Sequence, residues 1–161
     1  MIEAENDIQL ASSWDTVWRT LTDFKHYKAW HPYNRIEGAA ELGSKIDYTY
    51  FSTLIGPRSL HIPGRITRLE PGRILEWRVG FRFVFIFTET YTLEPANYGT
   101  HLVHRIEYRG LGATFNRKRA GGHARTLISK IDAALARYLA PSAARPRLGK
   151  PKMAGSKSRK R

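Results

Sequence analysis

The chain has no cysteine among its 161 residues, which excludes disulfides and thiolate metal sites. It has no apolar run near the ~20 residues that a membrane-spanning helix needs. The longest such run, around Phe83 to Phe87, is strand-sized. The segment Met1 to Asp7 is acidic and lacks the basic start and apolar core of a secretory signal. The expected location is therefore cytoplasmic. The histidines His26, His61, His101 and His123 are scattered without ligand-like spacing, so neither a metal nor another cofactor is expected.

Acid is also missing from one end of the chain. After Pro141 there are eight basic residues, from Arg145 to Arg161, and no Asp or Glu. They account for much of the formal charge of +13 and leave 19 basic and 14 acidic residues in 1–140. The tail, rich in Pro, Ala, Gly, Ser, Lys and Arg, has too little apolar surface to pack and is expected to be disordered. It reads either as a polyelectrolyte arm for nucleic acid or anionic membrane, or as a solubilising extension, which is favoured. Residues 1–140 then form one domain, and 141–161 a basic appendage.

What is present is 42% hydrophobic and 12% aromatic, enough for one packed core. Residues 3–10 alternate as a strand. Ser12 offers a helix N-cap, and Trp14, Val17, Trp18 and Leu21 have the spacing of one buried helix face. Phe24, Tyr27 and Trp30 suit a second short helix, stopped by Pro32. Strands are expected at 34–41, 44–53, 61–70, 73–80, 81–94 and 100–109, with turns such as Glu70-Pro71-Gly72-Arg73. Residues 112–140 read as a long helix whose stripe is Ala124, Ile128, Ile131, Leu135 and Tyr138. This order predicts an α+β fold in which an antiparallel meander packs against helix.

The stretches Ala11-Ser12-Ser13-Trp14-Asp15-Thr16-Val17-Trp18, Leu21-Thr22-Asp23-Phe24 and Tyr27-Lys28-Ala29-Trp30-His31-Pro32-Tyr33 resemble the opening of the SRPBCC superfamily, the START-like or Bet v 1-like helix-grip proteins. Ile66 to Trp77, Leu93-Glu94-Pro95 and Gly99 to Arg105 resemble later hairpins of that superfamily. The resemblance, nearest the polyketide cyclase/dehydrase-like branch, implies a curved antiparallel sheet wrapped around the long C-terminal helix, with a cavity between. It implies a ligand that is hydrophobic, aromatic or lipid-like, and it carries over no catalytic motif and no metal site.

By strand parity the concave face carries Tyr48, Tyr50, Trp77, Phe83, Phe85, Phe87, Glu89, Tyr91, His104 and Tyr108, with Ile128 opposite on the helix. An apolar wall with a few polar groups is the usual lining of a small-molecule pocket. An empty void costs about 24 cal/mol per Å³, so a dry pocket of ~300 Å³ would remove several kcal/mol of stability. It is collapsed by its aromatics, wet, or filled by ligand. Glu89 interrupts a row of phenylalanines. If Leu93 pairs with Leu102, Tyr91 lies opposite His104 and Glu89 is its diagonal neighbour. Such a pair is a structural hydrogen bond, is undone by a bulge that turns Glu89 outward, or is a catalytic acid–base couple.

Three functions follow: binding or carriage of a hydrophobic small molecule, a cyclase or dehydrase using Glu89 and His104 with Tyr48, Tyr50 or Tyr91, and an interaction module with a nucleic-acid-binding tail. Trp30 and His31 are expected at a helix end, His31 near solvent. Val84 and Ile86, on the face away from the phenylalanines, suggest a homodimer surface.

Overall fold

The computed structural model describes residues 1–52, 58–81, 83–110 and 117–140. Seven strands form one sheet: β1 (Ile2–Leu10), β2 (Asn34–Gly38), β3 (Lys45–Ser52), β4 (Arg58–Glu70), β5 (Ile74–Phe81), β6 (Phe85–Ala96) and β7 (Gly99–Arg109). Their order is β1-β7-β6-β5-β4-β3-β2, and every pairing is antiparallel. β2 to β7 are therefore a meander, and the N-terminal strand closes it by pairing with the last. Between β1 and β2 lie α1 (Trp14–Thr22) and a 3-10 helix (Phe24–Ala29). The chain ends its described part with α2 (Arg117–Leu139), which packs on β1 and β7. This is the helix-grip α+β architecture. The tail and residues 112–116 lie outside the described residues.

Local chemistry places the helices. Ser13, not Ser12, caps α1: its hydroxyl accepts from the Thr16 amide at 3.4 Å. Ser12 is used elsewhere, donating to the Leu139 carbonyl at 2.8 Å. It thus satisfies one of the carbonyls left open at the end of α2, and joins the start of α1 to that end. Val17 and Leu21 are fully buried, whereas Trp14 is partly exposed. The Trp14 indole covers the turn at Gly72, where the Arg73 amide donates to the Glu70 carbonyl at 2.9 Å. Pro71 followed by Gly72 at φ 74° suits a type II turn. A Cβ at Gly72 would stand 2.1 Å from the Trp14 ring.

One strand boundary departs from parity. The expected single strand 81–94 is divided: β5 ends at Phe81, which pairs with Phe85 at the start of β6. Adjacent antiparallel strands need a reversal of the chain, and it falls at Phe83 and Val84, where the Val84 amide donates to the Phe81 carbonyl at 3.1 Å. Phe83 sits in the turn at φ 71° and is 77% exposed. It is therefore not on the concave face. Val84 shares the turn and is exposed rather than belonging to a sheet face, and Ile86 is partly buried.

Two glycine substitutions should act in opposite directions. Gly72→Ala is expected to destabilise by about 1–3 kcal/mol, through the positive φ and the Trp14 contact. Gly121→Ala, inside α2 with open space where its Cβ would stand, should stabilise by about 1 kcal/mol. Urea unfolding midpoints measured side by side check both signs.

Candidate functional site

The inner face of the sheet follows from register. Leu93 pairs with Leu102 and Tyr91 with His104, which sets Glu89 diagonally across from His104. Trp77 pairs with Glu89 on the other side, from β5. The Glu89 carboxylate Oε1 lies 3.0 Å from His104 Nε2 and accepts from the Tyr91 hydroxyl at 2.8 Å. From the helix layer, Asp132 Oδ1 lies 2.6 Å from His104 Nδ1. Its other oxygen accepts from Asn6 Nδ2 on β1 at 2.7 Å. The Tyr91 ring stacks on the imidazole, with centroids 4.2 Å apart. Glu89, His104 and Asp132 are all buried.

The imidazole is thus bracketed by two carboxylates. Burial alone would lower the His104 pKa. The hydrogen bonds and charges of Asp132 and Glu89 outweigh it and raise the value to about 9. His104 is an imidazolium at neutral pH, and both of its N–H groups donate to carboxylates. It therefore has no free nitrogen to offer a ligand.

Asp132 escapes a reading based on hydrophobic pattern because acids are normally assigned to the wet side of a helix. Its spacing carries a signal all the same: it stands four residues after Ile128 and three before Leu135, both buried. Asn6 has a similar one, sharing the parity of Ile2, Ala4, Ile8 and Leu10 in β1.

A second polar group lies beside the 3-10 helix. His31 is buried, not near solvent, and its ring stacks on Tyr27 at 5.6 Å. The reason is local. Its Nδ1 accepts from the backbone amides of Tyr33 and Asn34, at 3.3 and 3.1 Å, which folds the ring back under the Pro32 turn. The proton must then be on Nε2. Burial, then the charges of His104 and Arg35, push the His31 pKa well below its ordinary value, so it stays neutral. Asn34, also buried, donates to the Tyr48 hydroxyl at 2.9 Å.

Among the described residues, Arg105 Nε on the outer side of β7 aside, five buried side-chain atoms have no hydrogen-bond partner: Glu89 Oε2, Trp77 Nε1, His31 Nε2, Asn34 Oδ1 and Trp30 Nε1. The sheet also carries an aromatic wall. Tyr48 meets Phe87 at 6.0 Å, Phe87 meets Tyr108 at 5.0 Å, Phe85 meets Tyr108 at 5.8 Å, and Trp77 meets Tyr91 at 5.6 Å. Of the residues expected to line a cavity, Tyr48, Trp77, Phe87, Tyr91 and Ile128 are buried, while Tyr50, Phe85 and Tyr108 are partly buried. Phe83 alone is displaced, to the exposed turn.

A separate groove of about 460 Å³ lies on the outside, lined by α1, Asp23, His26, Trp30 and Tyr138. It includes none of the bracketed residues, and its ionic groups are engaged locally, Arg19 with Asp15 and His26 with Asp23. Among the described residues no group of three or more His, Asp or Glu side chains is arranged to hold a metal ion. No described helix is long and apolar enough to cross a membrane.

A sheet gripping a C-terminal helix, with an aromatic interior and an isolated polar cluster, defines a protein of the SRPBCC class. The chain belongs to the family described as polyketide cyclase / dehydrase and lipid transport, whose model matches residues 1–140. Among solved structures, protein MLL2253 from Mesorhizobium loti is similar, with 18% identity over 85% of this chain and 96% of that one, at TM-score 0.66. The di-domain ARO/CYC StfQ of the steffimycin biosynthetic pathway is 13% identical, covering 86% of this chain and 49% of its own, at TM-score 0.67. Ara h 8.0201 is 12% identical over 85% of this chain and 96% of that one, at TM-score 0.66. At these identities the likeness is one of fold. No curated protein matches the chain.

The two buried histidines give stability a defined pH profile. His104 binds a proton more tightly folded than unfolded, so its contribution is complete below pH ~6.5 and is lost as pH rises toward ~9. His31 is held neutral, so stability falls as pH drops below ~6.5 and the unfolded chain takes up the proton. Their sum peaks near pH 6.5. Urea unfolding between pH 5 and 9 should show that maximum, and His104→Gln should flatten its alkaline side. His104→Ala, which leaves two buried carboxylates facing each other, is expected to cost about 3–5 kcal/mol.

Proposed function

We propose that this protein binds or carries a hydrophobic small molecule between the sheet and α2, with the polar end of the ligand at Glu89. The observation that carries the reading is the set of buried, unpartnered polar atoms Glu89 Oε2, Trp77 Nε1, His31 Nε2 and Asn34 Oδ1, in the elements that bear the aromatic wall. An unsatisfied buried polar group costs about 1–3 kcal/mol. Four left dry would cost about 4–12 kcal/mol, on the scale of the ~5–15 kcal/mol that a whole domain has to spare. Atoms so placed are accounted for if a ligand, or the water it displaces, bonds to them. The family description, which includes lipid transport and polyketide chemistry, points the same way.

The bracketed imidazole favours a second reading, a cyclase or dehydrase. Glu89 Oε2 is the one oxygen of the cluster free to take a proton from a ligand, since Oε1 already accepts from Tyr91 and His104. His104 would then be a positioning residue that stabilises the carboxylate. This differs from a couple in which both side chains touch substrate.

Native mass spectrometry of freshly purified protein, with uptake of the neutral dye N-phenyl-1-naphthylamine followed by fluorescence, tests the binding reading. A co-purified apolar ligand, or saturable dye uptake competed by lipids or polyphenols with a rise in melting temperature, is expected. Absence of both overturns it. Turnover of a bound polyketide-like ligand that is lost in Glu89→Gln would raise the second reading above the first.

A further inference from the structure

The buried charges in the cluster do not balance. Among the described residues, the buried ionisable ones, tyrosines aside, are Glu89, Asp132, His104 and His31. His104 supplies one positive charge to two carboxylates. His31 supplies none, because its Nδ1 is committed as an acceptor to two backbone amides. None of the lysines and arginines whose side chains are described is buried. Arg105 lies on the outer side of β7 among Glu3, Glu5 and Glu107. Arg35 donates to the carbonyls of His31 and Asn34 and stacks over Phe51.

The surplus can also be placed. Both oxygens of Asp132 are engaged, one by His104 and one by Asn6. Glu89 Oε1 is doubly engaged, and Glu89 Oε2 has nothing. The rings around that oxygen are electron-rich. Trp77 is its cross-strand neighbour, Tyr91 bonds the same carboxylate, and the Trp77 and Tyr91 rings meet at 5.6 Å. A buried carboxylate oxygen without a partner, set among aromatic residues, is an arrangement that recognises an organic cation.

We infer that the ligand carries a protonated amine, seated on Glu89 Oε2 within the aromatic wall and completing the charge of the Glu89–His104–Asp132 cluster. The inference rests on the interior binding reading and narrows it from a hydrophobic molecule to a hydrophobic amine. The unpartnered N–H groups of Trp77 and His31 add a place for an acceptor on the same ligand, such as a hydroxyl or carbonyl oxygen.

Three probes of one shape test it: 2-phenylethylamine, 2-phenylethanol and phenylacetate, each competing with N-phenyl-1-naphthylamine at pH 7 and fixed salt. The amine is expected to compete at least about tenfold more tightly than the alcohol, and phenylacetate least. Glu89→Gln keeps an acceptor for Tyr91 and His104 while removing the charge, and should bring the amine-to-alcohol ratio close to one. An alcohol equal to the amine, a preference for phenylacetate, or a ratio unchanged in Glu89→Gln overturns the inference. Where dye uptake persists in those cases, interior binding stands without the cation. Failure of the dye itself to bind removes both. The wild-type ratio alone decides the matter if Glu89→Gln does not fold.

Discussion

The imidazolium of His104, held between a strand carboxylate and a helix carboxylate, is the interaction on which the interior of this protein depends. Glu89 reaches it from β6 and Asp132 from α2, at 3.0 and 2.6 Å. It is thus a tie between the two layers of the fold. Two buried carboxylates without the imidazole would repel in low dielectric, and the imidazole without them would lose its proton. Each member is tolerable only with the others, and Tyr91 and Asn6 complete the set by filling lone pairs that would otherwise be orphaned.

Much of this was legible in the sequence. Period-two alternation from Phe85 to Leu93 and from Leu102 to Tyr108 puts Tyr91 and His104 on one face, and the turn that pairs Leu93 with Leu102 sets them opposite each other. Glu89 announces itself as an acid in an apolar row. Phe83 misleads for a physical reason: alternation continues through a tight turn as smoothly as through a strand, and only the need for a reversal between β5 and β6 reveals the break. No glycine marks that turn centre, since Phe83 itself takes the positive φ.

Other parts depend on contacts between distant segments and leave a weaker trace. Asp132 and Asn6 are 126 residues apart and meet only because β1 pairs with β7 beneath α2. Their inward parity can be counted in each element, but nothing in either segment says that the other will be there. His31 is a stricter case. Before a proline and at a helix end it has the profile of an exposed residue. It is buried because two successive amides, those of Tyr33 and Asn34, need an acceptor at the start of β2, and its Nδ1 supplies one.

The two histidines therefore divide the interior by charge. His104 is fixed as a cation by its carboxylates, and His31 is fixed as neutral by the amides it accepts from. Neither can exchange its role without losing its hydrogen bonds. Among the described residues, the buried side-chain acceptors left open are Glu89 Oε2 and Asn34 Oδ1. An amide oxygen is a far weaker base than a carboxylate. The histidine that draws attention in the sequence is thus closed off by its two carboxylates, and the strongest open base of the cluster is the glutamate.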